Sequence, residues 1–312
     1  MPRKRIVQLI TVIIASIFLG GLFWKYSDKV SNLHWDLNYF YLFLSVLAFS
    51  SLFFIASFAW MLILHKLDIN ISFRKSMEIW VASLIGKYIP GKVWVVLGRV
   101  YIGQKLGISK MKMSLATILE IILMHSSGII IFFFSLVFWK QIAFSYQVWT
   151  YLVIFCVLSL IVMHPFVLQR VVKFFLRILK KKEVSVDIAY KDVLSLLAFY
   201  LFFWFCTGVS IYFLTKSFYP VTIADLPVIS GIWAISTILG VVAFIVPGGI
   251  GVREGVAVFL LQSLIPVHLA LLVAISARIL LTILELVFVW ILVKFDVSLS
   301  KYYDEAKFSQ AQ

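Results

Sequence analysis

The chain has 312 residues, of which 63% are hydrophobic and only 13% are charged, and its mean hydropathy is +1.05. Soluble domains are roughly half apolar and about a quarter charged, so this composition excludes a soluble globular protein and indicates an integral membrane protein. Lys and Arg outnumber Asp and Glu by 28 to 14. The apolar runs leave no polar domain that could display a basic nucleic-acid-binding face, and we expect no nucleic-acid partner.

Seven apolar runs are long enough to cross a bilayer, which needs about 20 helical residues. They are residues 6–24, 37–64, 113–139, 141–169, 193–215, 226–246 and 268–293. The first run follows three basic residues but lacks a small-x-small cleavage site, so we interpret it as a retained anchor. Cys156 and Cys206 lie inside apolar runs, where we expect small buried hydrophobes and no disulfide.

Two apolar stretches are interrupted by Pro and Gly. Residues 73–104 contain Pro90 between two glycines, and residues 226–263 contain Pro247 followed by several glycines. Pro removes a backbone donor and Gly frees the backbone dihedrals, so a helix should break at both places. The arm after each break has 12 residues, or about 18 Å of helix, which is only part of the hydrocarbon thickness. Each stretch therefore predicts a re-entrant hairpin that enters and leaves the membrane on one side.

The positions of Lys and Arg predict the orientation. With the amino terminus inside and both hairpins re-entrant, 19 cations fall on the inner side, four on the outer side and five within the membrane. This bias predicts a multi-pass protein of the cytoplasmic (cell) membrane with both termini cytoplasmic. If residues 226–246 span fully instead, the carboxyl tail moves outside and the split becomes 16 to seven. That alternative stays open.

The predicted fold is all-α, with six spanning helices and two re-entrant broken hairpins in one domain, residues 1–312. A span-hairpin-span block occurs twice, at residues 37–139 and 193–293, with the hairpin entering from opposite sides. The two blocks are therefore predicted to be inverted repeats. Paired segments interrupted by Gly and Pro are typical of transporters with a binding site near the midplane. The alternative is that the two Pro-Gly pairs are similar by chance.

Ionisable side chains at membrane depth cost roughly 2.5–3.5 kcal/mol each on insertion scales, so they call for a role. For Glu120, Arg278 and Glu285 we expect charge pairing inside the bundle, with Glu120 near Arg278. Lys92 and Arg253 begin outgoing arms, where a helix amino terminus favours an anion, and they predict a phosphate site. The predicted substrate-binding residues are Lys87, Pro90, Gly91, Lys92, Arg99, Pro247, Gly248, Gly249, Gly251, Arg253 and Glu254. The alternative is that Lys87 and Lys92 extend to the inner surface.

No enzyme chemistry is expected. Residues 86–92 match G-x-x-x-x-G-K, but a nucleotide phosphate-binding loop needs Ser or Thr where Val93 stands. No Asp falls within a predicted span, and the histidines show no metal-ligand spacing. We therefore expect no catalytic residues, no metal and no cofactor.

Around residues 86–94 and 246–255, the sequence resembles the lysylphosphatidylglycerol synthase transmembrane family, which includes the flippase-like membrane half of the multiple peptide resistance factors. The resemblance covers almost the whole chain. Fused relatives continue into an aminoacyltransferase domain, whereas this sequence ends at Gln312, and we expect a standalone member.

The resemblance implies lipid translocation and does not imply aminoacyl transfer. The expected partners are membrane lipids, either an anionic phospholipid or a polyprenyl-phosphate-linked lipid. The alternative is a non-transporting membrane subunit that presents lipid to a partner enzyme, such as a glycosyltransferase or aminoacyltransferase. A lipid-modifying enzyme with an unrecognised site is a third candidate.

Overall fold

The computed structural model describes residues 37–88, 94–139, 150, 170, 189–243 and 249–295. The described ranges contain eight α-helices: α1 Tyr39–Lys66, α2 Phe73–Ser83, α3 Trp94–Lys105, α4 Lys110–Ser135, α5 Tyr190–Phe218, α6 Leu226–Val242, α7 Val252–Leu261 and α8 Val267–Phe295. Three short 3₁₀ helices, Leu84–Tyr88, Leu136–Phe138 and Ile223–Asp225, extend α2 and α4 and precede α6. The all-α prediction is confirmed for these ranges.

Five described helical segments are long and apolar enough to cross a membrane: Tyr39–Lys66, Lys110–Phe138, Tyr190–Phe218, Ile223–Val242 and Val267–Leu292. Four of them coincide with predicted spans. The segment Ile223–Val242 falls on the run for which the sequence left a full span and a hairpin arm open. The predicted spans at residues 6–24 and 141–169 lie outside the described residues.

Polar caps fix where three of the helices begin. The Asn38 side chain accepts a hydrogen bond from the Tyr41 backbone N–H at 3.3 Å and starts α1. The Ser109 side chain accepts a hydrogen bond from the Lys112 N–H at 3.2 Å and starts α4. The Ser72 side chain accepts one from the Lys75 N–H and starts α2. Each cap satisfies a backbone donor that the first turn of a helix leaves without an intrahelical acceptor.

Contacts at both ends show that α1 and α5 run antiparallel. At one end Lys66 Nζ lies 2.7 Å from Asp192 Oδ1, and at the other the Asn38 N–H donates to the Ser217 carbonyl at 3.0 Å. Lys112 Nζ donates to the Leu67 carbonyl at 2.9 Å, which places the start of α4 beside the end of α1. The basic residues at this end are among those that the charge count assigns to the inside.

The first helix pair consists of α2, its 3₁₀ extension and α3. A methyl group at Gly98 would lie 3.8 Å from the Ser83 Cα, and one at Gly86 would lie 2.6 Å from the Trp94 carbonyl carbon. Residues that follow the end of α2 therefore lie beside the start of α3, so the chain turns back on itself. Gly86 is required there, because any side chain would collide with backbone that cannot move aside.

The second helix pair consists of α6 and α7. A methyl group at Gly240 near the end of α6 would lie 2.9 Å from the Cβ of Arg253, the second residue of α7. Gly249, between the helices, has a positive φ of 67°, and a methyl group there would lie 2.6 Å from the Gly240 carbonyl oxygen. The two helices therefore meet closely at the turn, where a positive φ favours glycine.

The register between α6 and α4 sets how deep α6 reaches. Gly231 of α6 lies against Phe132 of α4, and Ile238 lies against Gly128, so the two helices are antiparallel. Val242, the last residue of α6, is four residues beyond Ile238, or about 6 Å further along the axis. The end of α6 is therefore level with the middle of α4.

Large side chains fill the centre of the bundle, and apolar side chains also cover its outside. Trp60, Tyr200 and Trp233 are almost completely buried, whereas Phe40, Phe202 and Trp290 are exposed. Exposed aromatic and aliphatic surface suits a helix that faces lipid.

Small residues bring helices into close contact within the bundle. Gly208 of α5 packs against Ser230 of α6, and Gly231 packs against Ser135 at the end of α4. Close approach at small residues is the usual packing of helices within a membrane.

Candidate functional site

A cavity of about 360 Å³ lies in the middle of the described bundle, and all eight described helices contribute to its lining. Most of the wall is apolar. Phe49 and Phe53 of α1, Phe203 of α5 and Leu281 of α8 belong to this apolar part. The cavity could therefore hold hydrocarbon or the less polar part of an amphiphile.

The charged side chains of the cavity come from segments that are far apart in the sequence. The described lining residues include four cations and two carboxylates, which are Lys87, Arg99, Arg253, Arg278, Glu120 and Glu285. A third carboxylate, Glu254, lies beside Arg278. These seven residues give an excess of one positive charge. Charge gathered in a largely apolar cavity is a functional-site hypothesis by default.

Arg99 and Glu120 form a buried ion pair between α3 and α4. The Trp80 indole N–H donates to the same carboxylate at 2.7 Å, and Arg99 Nε donates to Ser83 Oγ at 3.1 Å. The Arg99 guanidinium also lies 4.5 Å from the centre of the Trp60 ring. Arg99 is only 4% exposed. The charge of Arg99 is balanced by Glu120. Because Arg99 also contacts Trp60 and Ser83, these residues connect α1, α2, α3 and α4.

The expectation that Glu120 pairs with Arg278 is wrong. Glu120 pairs with Arg99, and the carboxylate that approaches Arg278 is Glu254. Glu120 and Arg278 lie at similar positions along their predicted spans, which is why the sequence suggested this pair. A similar position along the membrane normal does not determine which faces of α4 and α8 meet.

Lys87 and Glu285 form an ion pair between the 3₁₀ extension of α2 and helix α8. Both side chains line the cavity. The Lys87 side chain keeps 30% of its surface exposed, against 10% for Glu285. Lys87 therefore joins the first helix pair to α8 and also presents its amine to the cavity.

Glu254 is the acidic residue of the second helix pair. Its Oε2 accepts a hydrogen bond from the Gly251 N–H at 2.7 Å, and its Oε1 lies 3.8 Å from Arg278 Nη1. The third residue of a helix often caps the first turn in this way. Glu254 therefore places one negative charge at the start of α7. Of its two oxygens, Oε2 is hydrogen-bonded and Oε1 has an ion-pair neighbour.

Arg253 lies beside Glu254 at the start of α7 and lines the cavity. Its guanidinium is 4.5 Å from the centre of the Trp233 ring, which is a cation–π distance. Lys87 and Arg278 line the same cavity, and Glu254, the neighbour of Arg253 in the chain, lies 3.8 Å from Arg278. Three cations, from the two helix pairs and α8, therefore belong to the wall of one cavity. We call Lys87, Arg253 and Arg278 the cation cluster.

The family model for the Lysylphosphatidylglycerol synthase TM region matches residues 6–288. The chain belongs to this family. The resemblance seen at the two interrupted stretches is confirmed. Comparison with curated proteins gives no match.

Several residues predicted as ligands have other neighbours in this family member. Gly249 is approached by the Gly240 carbonyl of its own chain, and the N–H of Gly251 is bonded to Glu254. Close approach of a ligand was the reason for both predictions. Five further predicted ligands lie outside the described residues: Pro90, Gly91, Lys92, Pro247 and Gly248.

Sequence reasoning missed the aromatic partners of the arginines. Trp60 lies under Arg99, and Trp233 lies under Arg253. Both tryptophans are in long apolar helices where nothing in the sequence distinguishes them from other core aromatics. The cap formed by Glu254 had a partial signal, because Glu at the third position of a helix is the acidic half of a capping box, although Gly251 has no side chain to form the other half.

Proposed function

We propose that the protein is a flippase that moves an anionic lipid between the two leaflets, with the lipid phosphate bound at the cation cluster. The observation that carries this proposal is the position of the cluster on the wall of a largely apolar cavity. Burying cations costs free energy unless an anion is near. The seven charged residues at the cavity have one excess positive charge, and a phosphate would balance it.

The apolar wall favours a lipid over a soluble anion. A lipid combines a charged phosphate with hydrocarbon, and the wall of the cavity combines three cations with Phe49, Phe53 and Leu281. An anionic phospholipid and a polyprenyl-phosphate-linked lipid both have this chemistry. Val93 stands where a nucleotide-binding loop needs Ser or Thr, so we expect no nucleotide at residues 86–92 and propose that movement is downhill or coupled to an ion gradient.

The same proposal includes an arrangement in the membrane. The two helix pairs would be re-entrant hairpins, with six further helices spanning the bilayer and the two span-hairpin-span blocks inverted. The end of α6 beside the middle of α4 supports a hairpin arm over a full span. The bias of Lys and Arg supports cytoplasmic termini in the cell membrane.

A second candidate function is presentation of lipid to a partner enzyme without transport. The family description names the membrane region of a synthase, and this favours a site that holds lipid for chemistry performed elsewhere. Both candidates need lipid bound at the cation cluster. Only the first needs the lipid to cross between leaflets.

Transport by the purified full chain separates the two functions. The protein is reconstituted into phosphatidylcholine vesicles with a trace of phosphatidylglycerol that carries a fluorescent label on one acyl chain. A membrane-impermeant quencher then reports how fast inner-leaflet label reaches the outside. We expect the quencher to remove fluorescence from protein vesicles that protein-free vesicles retain. Lys87→Gln, compared as folded protein below its unfolding temperature, should slow this loss. Binding of lipid without movement would contradict transport and favour presentation.

The matched control is a cation outside the cavity. Lys66 pairs with Asp192 at one end of the bundle and is not among the residues that line the cavity. Lys66→Gln removes the same charge as Lys87→Gln, so we expect it to leave lipid movement at the parental rate. Equal slowing by both variants would show an effect of net charge and would contradict a phosphate site at Lys87.

A further inference from the structure

One side of the cavity wall is much more exposed than the rest. Phe53 and Trp233 line the cavity and are 4% and 2% exposed, whereas the lining residues Ile121 of α4 and Val241 of α6 are 43% and 39% exposed. α4 packs against both α3 and α6. Among the described helices, α4 therefore forms the exposed part of the wall together with α3 and α6, which pack against it.

We call this part of the wall the portal. It consists of five cavity-lining residues, Val95 and Val96 of α3, Ile121 and His125 of α4, and Val241 of α6. His125 lies one helical turn after Ile121, and its Nδ1 is 2.6 Å from the Ile121 carbonyl oxygen. A carbonyl oxygen only accepts, so Nδ1 carries the proton and Nε2 is left for a polar group of a ligand.

A cation lies directly behind the portal. Val241 follows Gly240, and a methyl group at Gly240 would be only 2.9 Å from the Arg253 Cβ. Stacking against Trp233 at 4.5 Å keeps the guanidinium at the cavity wall. Arg253, Val241 and Ile121 line the same cavity, so a lipid whose phosphate contacts Arg253 could reach the portal through that cavity.

The size of the cavity argues that only part of a lipid enters. Ligand pockets are typically about 300–1,000 Å³, and the cavity of about 360 Å³ is near the lower limit. It has room for a headgroup and the nearest methylenes against its apolar wall, whereas two complete acyl chains need more room. Hydrocarbon is favoured where it already lies, in the bilayer core.

We propose that the portal is the lateral access site of the transported lipid, and that it contacts the glycerol region and first methylenes while the phosphate is at Arg253 and the chains stay in the bilayer. This inference rests on the proposed function for the identity of the ligand. It adds a path from the bilayer to the cation cluster, between α3 and α6 and across Ile121 and His125.

A photoreactive lipid tests the portal without requiring transport. Phosphatidylglycerol with a diazirine near the ester end of one acyl chain is added to vesicles that contain the full-length protein, and labelled peptides are identified by mass spectrometry. We expect label around Ile121 and Val241 at about ten times the level at Leu47, a tenfold preference being equivalent to about 1.4 kcal/mol. Leu47 is 51% exposed on α1 and does not line the cavity. Equal label at all three positions would overturn the proposal.

Arg253→Gln connects the portal to the cation behind it. In this variant the label at Ile121 should fall to the level at Leu47, because the phosphate that holds the lipid in place has lost its partner. Unlabelled phosphatidylglycerol should compete for the parental label, and phosphatidylcholine should compete poorly. Undiminished label in Arg253→Gln would separate the portal from the cation cluster and overturn the proposal.

Narrowing the portal tests its role in transport. Ile121→Trp and Val241→Trp should each slow lipid movement about tenfold or more, the effect of about 1.4 kcal/mol on a barrier. Leu47→Trp makes the same kind of enlargement at an exposed apolar position of α1 outside the cavity. This variant should move lipid at the parental rate. If one portal variant does not fold, the other variant and the photolabel still decide.

The failures of the two proposals can be told apart. If the parental protein moves no lipid but the label is concentrated at the portal, transport is wrong and the portal is an access site of a presenting protein. If the parental protein moves lipid while label is uniform and both Trp variants keep the parental rate, transport stands and the portal is wrong.

Discussion

Lys87 and Glu285 are 198 positions apart in the sequence, and their ion pair joins the first helix pair to α8. Seven residues earlier on α8, Arg278 approaches Glu254 of the second helix pair. α8 thus contacts both helix pairs through charges of opposite sign, about 10 Å apart along its axis. A phosphate at Lys87 would compete with Glu285, and a phosphate at Arg278 would compete with Glu254. Lipid binding would therefore weaken the connection of α8 to the helix pair concerned.

The two members of the Lys87–Glu285 pair should not be equally costly to remove. Lys87→Gln removes a cation from the buried Glu285 carboxylate, and we expect a loss of about 3 kcal/mol of unfolding free energy. Glu285→Gln leaves Lys87, which is more exposed and can turn towards the cavity, so the loss should be smaller. Thermal unfolding in detergent measures both. The double variant should recover part of the larger loss, and fully additive losses would contradict the pairing.

The Lys66–Asp192 pair is the control for these measurements. It has a good distance of 2.7 Å but lies at the exposed end of α1 and α5. Exposed ion pairs contribute about 0–1 kcal/mol, so Lys66→Gln should change stability by no more than that. A loss as large as that of Lys87→Gln would show that burial is not the cause of the difference.

The Arg99–Glu120 pair should be coupled, whereas Glu120 and Arg278 should not be. Glu120→Gln leaves Arg99 buried beside Trp60 and Trp80, and we expect a loss of about 3–5 kcal/mol. In a double-mutant cycle with Arg99→Gln, the two losses should be far from additive. In the cycle with Arg278→Gln they should add to within about 0.5 kcal/mol, as for sites that share no partner. The reverse result would restore the pairing that the sequence suggested.

Much of the helical pattern could be predicted from the sequence, because it depends on local composition. The start of α2 at Phe73 and the interruption after Gly86 follow from a Ser cap and from Gly and Pro. Ion-pair partners could not be predicted in the same way. Lys87 meets Glu285 only because two helices pack in a particular rotation, and a single sequence carries no record of that rotation.

Two glycines of the first helix pair should respond differently to the same substitution. Gly86→Ala places a methyl group 2.6 Å from the Trp94 carbonyl carbon, so the backbone must shift and stability should fall by about 1–3 kcal/mol. Gly98 lies within α3. The methyl group of Gly98→Ala would be at an ordinary contact distance of 3.8 Å from the Ser83 Cα of α2. Alanine is the better helix former, so this variant should be as stable as the parent or more stable. Equal losses in thermal unfolding would contradict the close turn at Gly86.

Accessible cysteines should distinguish the two membrane arrangements. In a background without the native cysteines, a thiol at Asn38 or Lys216 should react with an impermeant reagent from outside, because these ends of α1 and α5 lie together. A thiol at Lys112 should react only after the inner face is opened. A thiol at Gln310 should behave like Lys112 if the second helix pair is re-entrant. Reaction of Gln310 from outside would show that residues 226–246 span the membrane.

Arg253 should affect lipid binding more than stability. Arg253→Gln removes a charge-assisted contact to phosphate, which contributes about 1.5–3 kcal/mol, so lipid affinity and the rate of lipid movement should fall about tenfold or more. Glu254 still caps α7 in this variant through Gly251, so the unfolding temperature should stay near the parental value. Arg253→Lys keeps the charge but loses the planar stacking on Trp233, and should be intermediate.

Lys216→Gln is the matched control for Arg253→Gln. Lys216 also lies over aromatic rings, those of Tyr41 and Tyr212, but it is not among the residues that line the cavity. Its removal should leave lipid affinity unchanged, because it is far from any phosphate held by the cation cluster. Lipid affinity is measured from binding to phosphatidylglycerol vesicles, and the rate of lipid movement is measured in the reconstituted vesicles. If Arg253→Gln binds and moves lipid like the parent, or if it fails only because it unfolds, Arg253 holds the turn between α6 and α7 and does not bind phosphate.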